Sequence, residues 1–200
     1  PASDTVQRAQ SVALAEDVRM LVAVGGSKEA DFAKYAAKIH NLPVFVAVTH
    51  SDAVSVLGKN CVLYNGNELC LCEGKEPFGA AIVPELVPSE HLPAAFGNIC
   101  ACALSLFDRE AYARATGTEI CPHLHETVLA LVYRALDTVA ASNRHSPELP
   151  ARLAQIALRL SYVSQHEDLA HGAADDCART ADMLFRRENR VAPSRGEFAF

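Results

Sequence analysis

No stretch of the 200-residue chain approaches the roughly 20 consecutive apolar residues that a membrane-crossing helix needs, and no basic-then-apolar leader opens it. A membrane partner is therefore not expected, and the chain reads as soluble and cytoplasmic. Nor is there an excess of positive charge. The 18 Lys and Arg against 24 Asp and Glu leave a formal net charge of −6, which supplies no general attraction for phosphate backbones, so nucleic acid is not expected as a partner. The seven cysteines are odd in number and contain no CxxC pair, which argues against both a disulfide framework and a zinc ribbon. Internal repeats and low-complexity linkers are also missing. What is present suffices to fold, since 50% of the residues are hydrophobic and a chain of this length can bury a sizeable core. The sequence opens on Pro1 and stops at Phe200 inside an apolar pattern, as expected of a chain cut at both ends.

Lysine is absent from the second half. Lys28, Lys34, Lys38, Lys59 and Lys75 all precede residue 95, and the eleven basic residues beyond it are all arginine. The hydrophobic pattern changes at the same place. Before it, strand-length apolar runs at Met20–Val24, Val44–Val48 and Ala80–Val83 alternate with helical periodicity, the order of a parallel sheet with crossover helices. None of these runs alternates polar with apolar, so all three are expected to be parallel neighbours buried on both faces. Between the first two runs, Ser27 can cap a helix whose Phe32, Ala33, Ala36, Ala37 and Ile39 line one face. Asn41 and Pro43 stop it, and its lysines fall largely away from the apolar face. From Pro93 onward the spacing predicts helices over 93–106, 108–116, 122–141, 148–164 and 169–187. The expected architecture is α/β followed by all-α, with an α/β part over 1–92 and a helical part over 93–200.

Asn65-Gly66 is a two-residue hairpin signal, and centring the turn there sets Cys61 opposite Cys70. Reduced, partly buried thiols are the expected state of that pair.

Chemistry concentrates at Leu21-Val22-Ala23-Val24-Gly25-Gly26-Ser27-Lys28. A strand runs through two glycines straight into a helix, so the N–H groups of the first helical turn stand beside the positive end of the helix dipole, an arrangement suited to a pyrophosphate. The same glycines could serve only to allow positive φ in an ordinary turn.

This segment is similar to that of the iron-containing alcohol dehydrogenase, glycerol dehydrogenase and glycerol-1-phosphate dehydrogenase superfamily, whose fold dehydroquinate synthase shares. Family members follow a strand with three glycines and Ser or Lys, then Asp and Lys on the next helix. This chain has Gly25, Gly26, Ser27, Lys28, Asp31 and Lys34, with Ser27 in place of the third glycine. The next family strand leads into Pro-Thr and then Ser-x-Asp-Ala or Ser-Asp-Ala; here the run is Val48-Thr49-His50-Ser51-Asp52-Ala53-Val54-Ser55. Ala81–Leu86 and Leu92–Gly97 are similar to the family's later strand and to its entry into the helical domain. The resemblance implies a Rossmann-like sheet part plus a helical domain, dehydroquinate synthase-like, with NAD or NADP in the cleft. It implies that Gly25, Gly26 and Ser27 hold the pyrophosphate, with Lys28 and Asp31 on the helix beside them, while Thr49, Asp52 and Ser55 lie around the nucleoside portions. An ordinary strand-to-helix loop capped by Ser and Asp remains the alternative for Thr49–Ser55. The strand and helix that the family places ahead of its glycine turn are largely missing before Pro1.

The family's metal ligands are replaced. Its first ligand, an Asp, follows the glycine corresponding to Gly97, where this chain has Asn98. Its paired His positions correspond to Asp175 and Arg179, and its His-Gly-Glu to Arg195-Gly196-Glu197. A neutral amide and permanently protonated guanidinium groups do not neutralise a divalent cation, so a degenerate site without a divalent metal is expected, with Asn98, Asp175, Arg179 and Arg195 lining one former metal or substrate cleft. His123 with His125 and His166 with His171 are spaced two and five apart, which does not stack two imidazoles on one helical face. Arg186, Arg187 and Arg190 are explained by compensation of a helix dipole.

Three functions fit these residues. The chain is a NAD(P)-dependent dehydrogenase of a polyol or polyol phosphate, or a catalytically inactive nucleotide-binding homologue, or a metal-independent relative in which arginine grips an anionic substrate. A homo-oligomer is compatible with each.

Overall fold

The structure, a computed structural model, describes residues 5–11, 17–51, 53–65, 68–89, 92–142 and 146–165. A short helix α1 (Thr5–Gln10) precedes strand β1 (Leu21–Gly25), helix α2 (Ser27–His40) and strand β2 (Val44–Val48). Strands β3 (Asn60–Asn65) and β4 (Glu68–Glu73) form a separate hairpin. Strand β5 (Gly79–Ile82) and a 3-10 turn at Pro84–Leu86 lead to helices α3 (Leu92–Thr116), α4 (Pro122–Ala141) and α5 (Leu149–Gln165).

The three apolar runs are parallel neighbours in the order β1-β2-β5, as their composition predicts. Burial on both faces is not what they show. Val22 is 50% and Val24 60% exposed, whereas Ala23, Val44, Val46 and Val48 are buried. Helix α2 packs against β1 and β2, and among the described residues β1 is an edge strand. Its uncovered face carries apolar side chains because composition records what a strand is able to bury, and not what lies against it.

Helix α2 departs from expectation in two ways. Its N-cap is Gly26 rather than Ser27, with Ser27 as the first helical residue. Asn41 does end the helix, in the left-handed conformation at φ 51°, while the Leu42 N–H bonds the Ala37 carbonyl. The larger departure is Lys34, expected on the solvent side yet wholly buried. The β3–β4 hairpin packs along that side of α2, so the helix is covered from two directions. The Lys34 ammonium donates to the carbonyls of Ser55 at 3.2 Å, Gly58 at 2.9 Å and Asn60 at 2.7 Å, and it pairs with Asp31 Oδ1 at 2.7 Å. Asp31 Oδ2 in turn accepts the Val62 N–H at 2.9 Å. One buried ion pair thereby fastens the loop and hairpin to α2.

The hairpin register is shifted from the expected one. Cys61 faces Cys72, Leu63 faces Cys70, and the ladder closes on Asn65 with Glu68. Centring the turn on Asn65-Gly66 would instead set residue 68 opposite buried Leu63, and the observed pairing gives that place to Cys70. Cys61 is buried and free. Burial pushes its thiol from an ordinary value of 9.0 up to about 12, against the opposing pull of the nearby Lys34 cation. Above pH 9 the unfolded chain ionises this thiol while the folded chain keeps it neutral, so its burial contributes stability at neutral pH that is lost as pH rises toward 12. A thiol reagent at pH 8 is expected to label exposed Cys121 at once and Cys61 only on unfolding, as peptide mass spectrometry would read; equal rates would contradict the buried placement.

In the helical part, the two helices expected over 93–106 and 108–116 are one continuous α3, since no glycine or proline interrupts the stretch between them. Helices α4 and α5 follow the predicted limits within a residue or two. A helix expected over 169–187 lies outside the described residues. One apolar cluster joins sheet to helices, running from Ala23, Val46 and Val48 through Val56 and Leu57 to Phe96, Ile99, Val128, Leu153 and Leu160.

Candidate functional site

The C-terminal ends of β1 and β2 lie side by side because the strands are parallel and in register, Gly25 opposite Val48. In open parallel sheets this end is where ligands bind. Gly25 has φ 153°, a conformation side chains rarely adopt, and a Cβ there would come within 2.6 Å of Glu29 Cγ and Oε2. Glu29, in the first turn of α2, folds back over the glycine turn, and its Oε2 accepts the Gly26 N–H at 2.9 Å. The N-terminus of α2 thus already holds an anion, the carboxylate of its own chain.

The second strand supplies the other wall. The Thr49 N–H bonds the Gly25 carbonyl at 2.9 Å, and Thr49 Oγ1 lies 3.2 Å from His50 Nδ1. The His50 side chain sits against the turn, since a Cβ on Gly26 would be 3.2 Å from His50 Cβ. Ser51 is fully buried, and its hydroxyl has no hydrogen-bond partner among the described residues.

The structure therefore brings Gly25, Gly26, Ser27, Lys28 and Thr49 together. Lys28 is exposed in the first turn of α2. Asp31 is drawn the other way, into the Lys34 pair and the hairpin. Ser55 is exposed, with its carbonyl held by Lys34. Asp52 lies outside the described residues. Glu29, His50 and Ser51 are the neighbours that spacing alone did not single out. A glutamate three residues after an N-cap was the available signal for the first; no local signal marks the other two.

Asn98 is buried at 8% exposure on α3, and its carbonyl lies 3.4 Å from Cys102 Sγ. Asp175, Arg179 and Arg195 lie outside the described residues, and so does their convergence with Asn98. Among the described residues no group of three or more His, Cys, Asp or Glu side chains is placed to hold a metal ion. No described helix is long and apolar enough to cross a membrane.

The matches found are to solved structures. Glycerol dehydrogenase from Schizosaccharomyces pombe superposes with a TM-score of 0.70 at 17% identity, over 98% of this chain and 52% of that one. The chain has the fold of the matched half of that glycerol dehydrogenase. An iron-containing alcohol dehydrogenase from Thermotoga maritima matches this glycerol dehydrogenase-like fold with a TM-score of 0.64 at 14% identity, over 97% of this chain and 55% of that one. Sulfoacetaldehyde reductase from Bifidobacterium kashiwanohense, solved in complex with NAD+, gives 0.62 at 16% identity, covering 90% and 51% respectively. The chain spans about half the length of these proteins. No protein-family model and no curated protein matches the sequence.

Proposed function

We propose that the chain binds NAD or NADP through the glycine turn between β1 and α2, as part of a dehydrogenase-like protein for a polyol or polyol phosphate. The observation that carries this reading is the Glu29 carboxylate on the Gly26 N–H at 2.9 Å, an anion seated where a pyrophosphate would bind. The backbone of Gly25, Gly26 and Ser27 would hold the pyrophosphate and Lys28 would add charge to it. Thr49 and Ser55, with Asp52 between them in sequence, would border the nucleoside portions. When bound, the nicotinamide supplies or accepts hydride.

A divalent metal does not fit the same reading. Asn98 offers a neutral carboxamide where family members present a carboxylate, and Arg195 would bring a fixed positive charge to the former ligand set. The chain is accordingly proposed to work without zinc or iron, either as a nucleotide binder that has lost hydride chemistry or with Arg179 or Arg195 gripping an anionic substrate. Two measurements on the purified chain test this. Titration with NADH and NADPH, read from the nucleotide's own fluorescence, is expected to saturate and to be competed by inorganic pyrophosphate. No binding of either nucleotide, by this chain or by a variant lacking the Glu29 carboxylate, overturns the cofactor assignment. Elemental analysis is expected to find no stoichiometric zinc or iron, and one metal per chain after dialysis would restore the metal-dependent dehydrogenase reading.

A further inference from the structure

Capping explains part of the Glu29 contact, because a glutamate three residues past the N-cap commonly bonds the N-cap N–H. Its position here has a further effect. The same carboxylate lies over Gly25, the one residue of the turn whose backbone favours glycine, close enough that a Cβ at Gly25 would meet Glu29 Cγ, Cδ and Oε2. Glu29 therefore covers the turn as well as capping the helix. Glu29 is an exposed residue. His50 lies against the turn on the β2 side.

We infer that Glu29 is an affinity-determining residue of the nucleotide site, an internal anion that a ligand phosphate must displace from the Gly26 N–H. The inference rests on the nucleotide reading above. Two negative groups cannot share one donor at short range without strong repulsion, and a neutral side chain at position 29 removes the competitor. It also follows that the cost falls only on ligands that bring a phosphate. Adenosine, which carries none, does not need the Gly26 N–H.

The experiment compares the full chain with Glu29→Gln and Glu29→Ala, titrated with NADH and with adenosine by calorimetry, alongside a melting curve for each. Both substitutions are at an exposed position, and loss of the cap is expected to lower the melting temperature only slightly. The expected result is NADH affinity raised roughly tenfold or more in both variants, from removal of the competing charge, with adenosine affinity unchanged. NADH binding that appears only in the variants supports the inference in its strongest form. If the original chain binds NADH and the variants bind it equally or more weakly, Glu29 is a helix cap alone and the nucleotide reading stands without it. Adenosine and NADH improving together would also overturn it, because the effect would not be on phosphate. No NADH binding by any of the three overturns both the inference and the reading beneath it.

Discussion

Replacing Lys34 by methionine is expected to lower the unfolding free energy by about 3–5 kcal/mol, the usual cost of removing one partner from a buried ion pair. Methionine has similar length and fills the same space, so the loss is electrostatic. Asp31, 5% exposed, would be left in the interior without its cation, and the carbonyls of Ser55, Gly58 and Asn60 would lose their shared donor. The control lies one helical turn away. Lys38 pairs with Glu73 at 2.9 Å, but their side chains are 46% and 58% exposed, so Lys38→Met is expected to cost about 1 kcal/mol at most. Urea unfolding of the two variants would decide the matter, and equal effects would show that the Lys34 site is not the closed one described.

The second large effect is expected at Leu160, wholly buried on α5 within the cluster that joins sheet to helices. Leu160→Ala removes apolar volume from a place where helices and the Val56-Leu57 corner meet, and should cost about 2–5 kcal/mol. Leu136 on α4 is 41% exposed, and the same truncation there should cost about 1 kcal/mol or less. A thermal melt of both variants checks the difference. If Leu160→Ala melts like Leu136→Ala, the continuous core is wrong.

These two residues also mark how far the sequence could be read. Leu160 belongs to a helix whose apolar positions repeat with helical period, and such a pattern states its own burial; helix α4 was legible in the same way, and strands β1, β2 and β5 as short apolar runs. Lys34 was not legible. Its burial depends on a hairpin and loop that begin more than twenty residues later, and no periodicity within α2 announces a second covered side. The open face of β1 failed for the opposite reason: Val22 and Val24 look buried by composition, yet composition says nothing of whether another layer exists. The hairpin was visible from Asn65-Gly66 while its register was not, since moving the turn by one residue keeps every side chain on the same face and changes only who faces whom. At the candidate site, the glycine turn and Thr49 came from spacing and resemblance. His50 and Ser51 come from the adjacency of β1 and β2, which is a property of the sheet.

The hydrogen bond from the Leu57 N–H to the buried Ser161 hydroxyl, 2.8 Å long, joins residues 104 apart in the chain. Closing so long a loop carries an entropic cost that only the completed core offsets. On a ribosome adding roughly 5–20 residues per second, residues 104 apart emerge about 5–20 seconds apart. Throughout that interval Val56 and Leu57, both buried in the finished protein, have no α5 to cover them. The nascent chain thus carries this apolar corner without its α5 cover until the last described helix has been made.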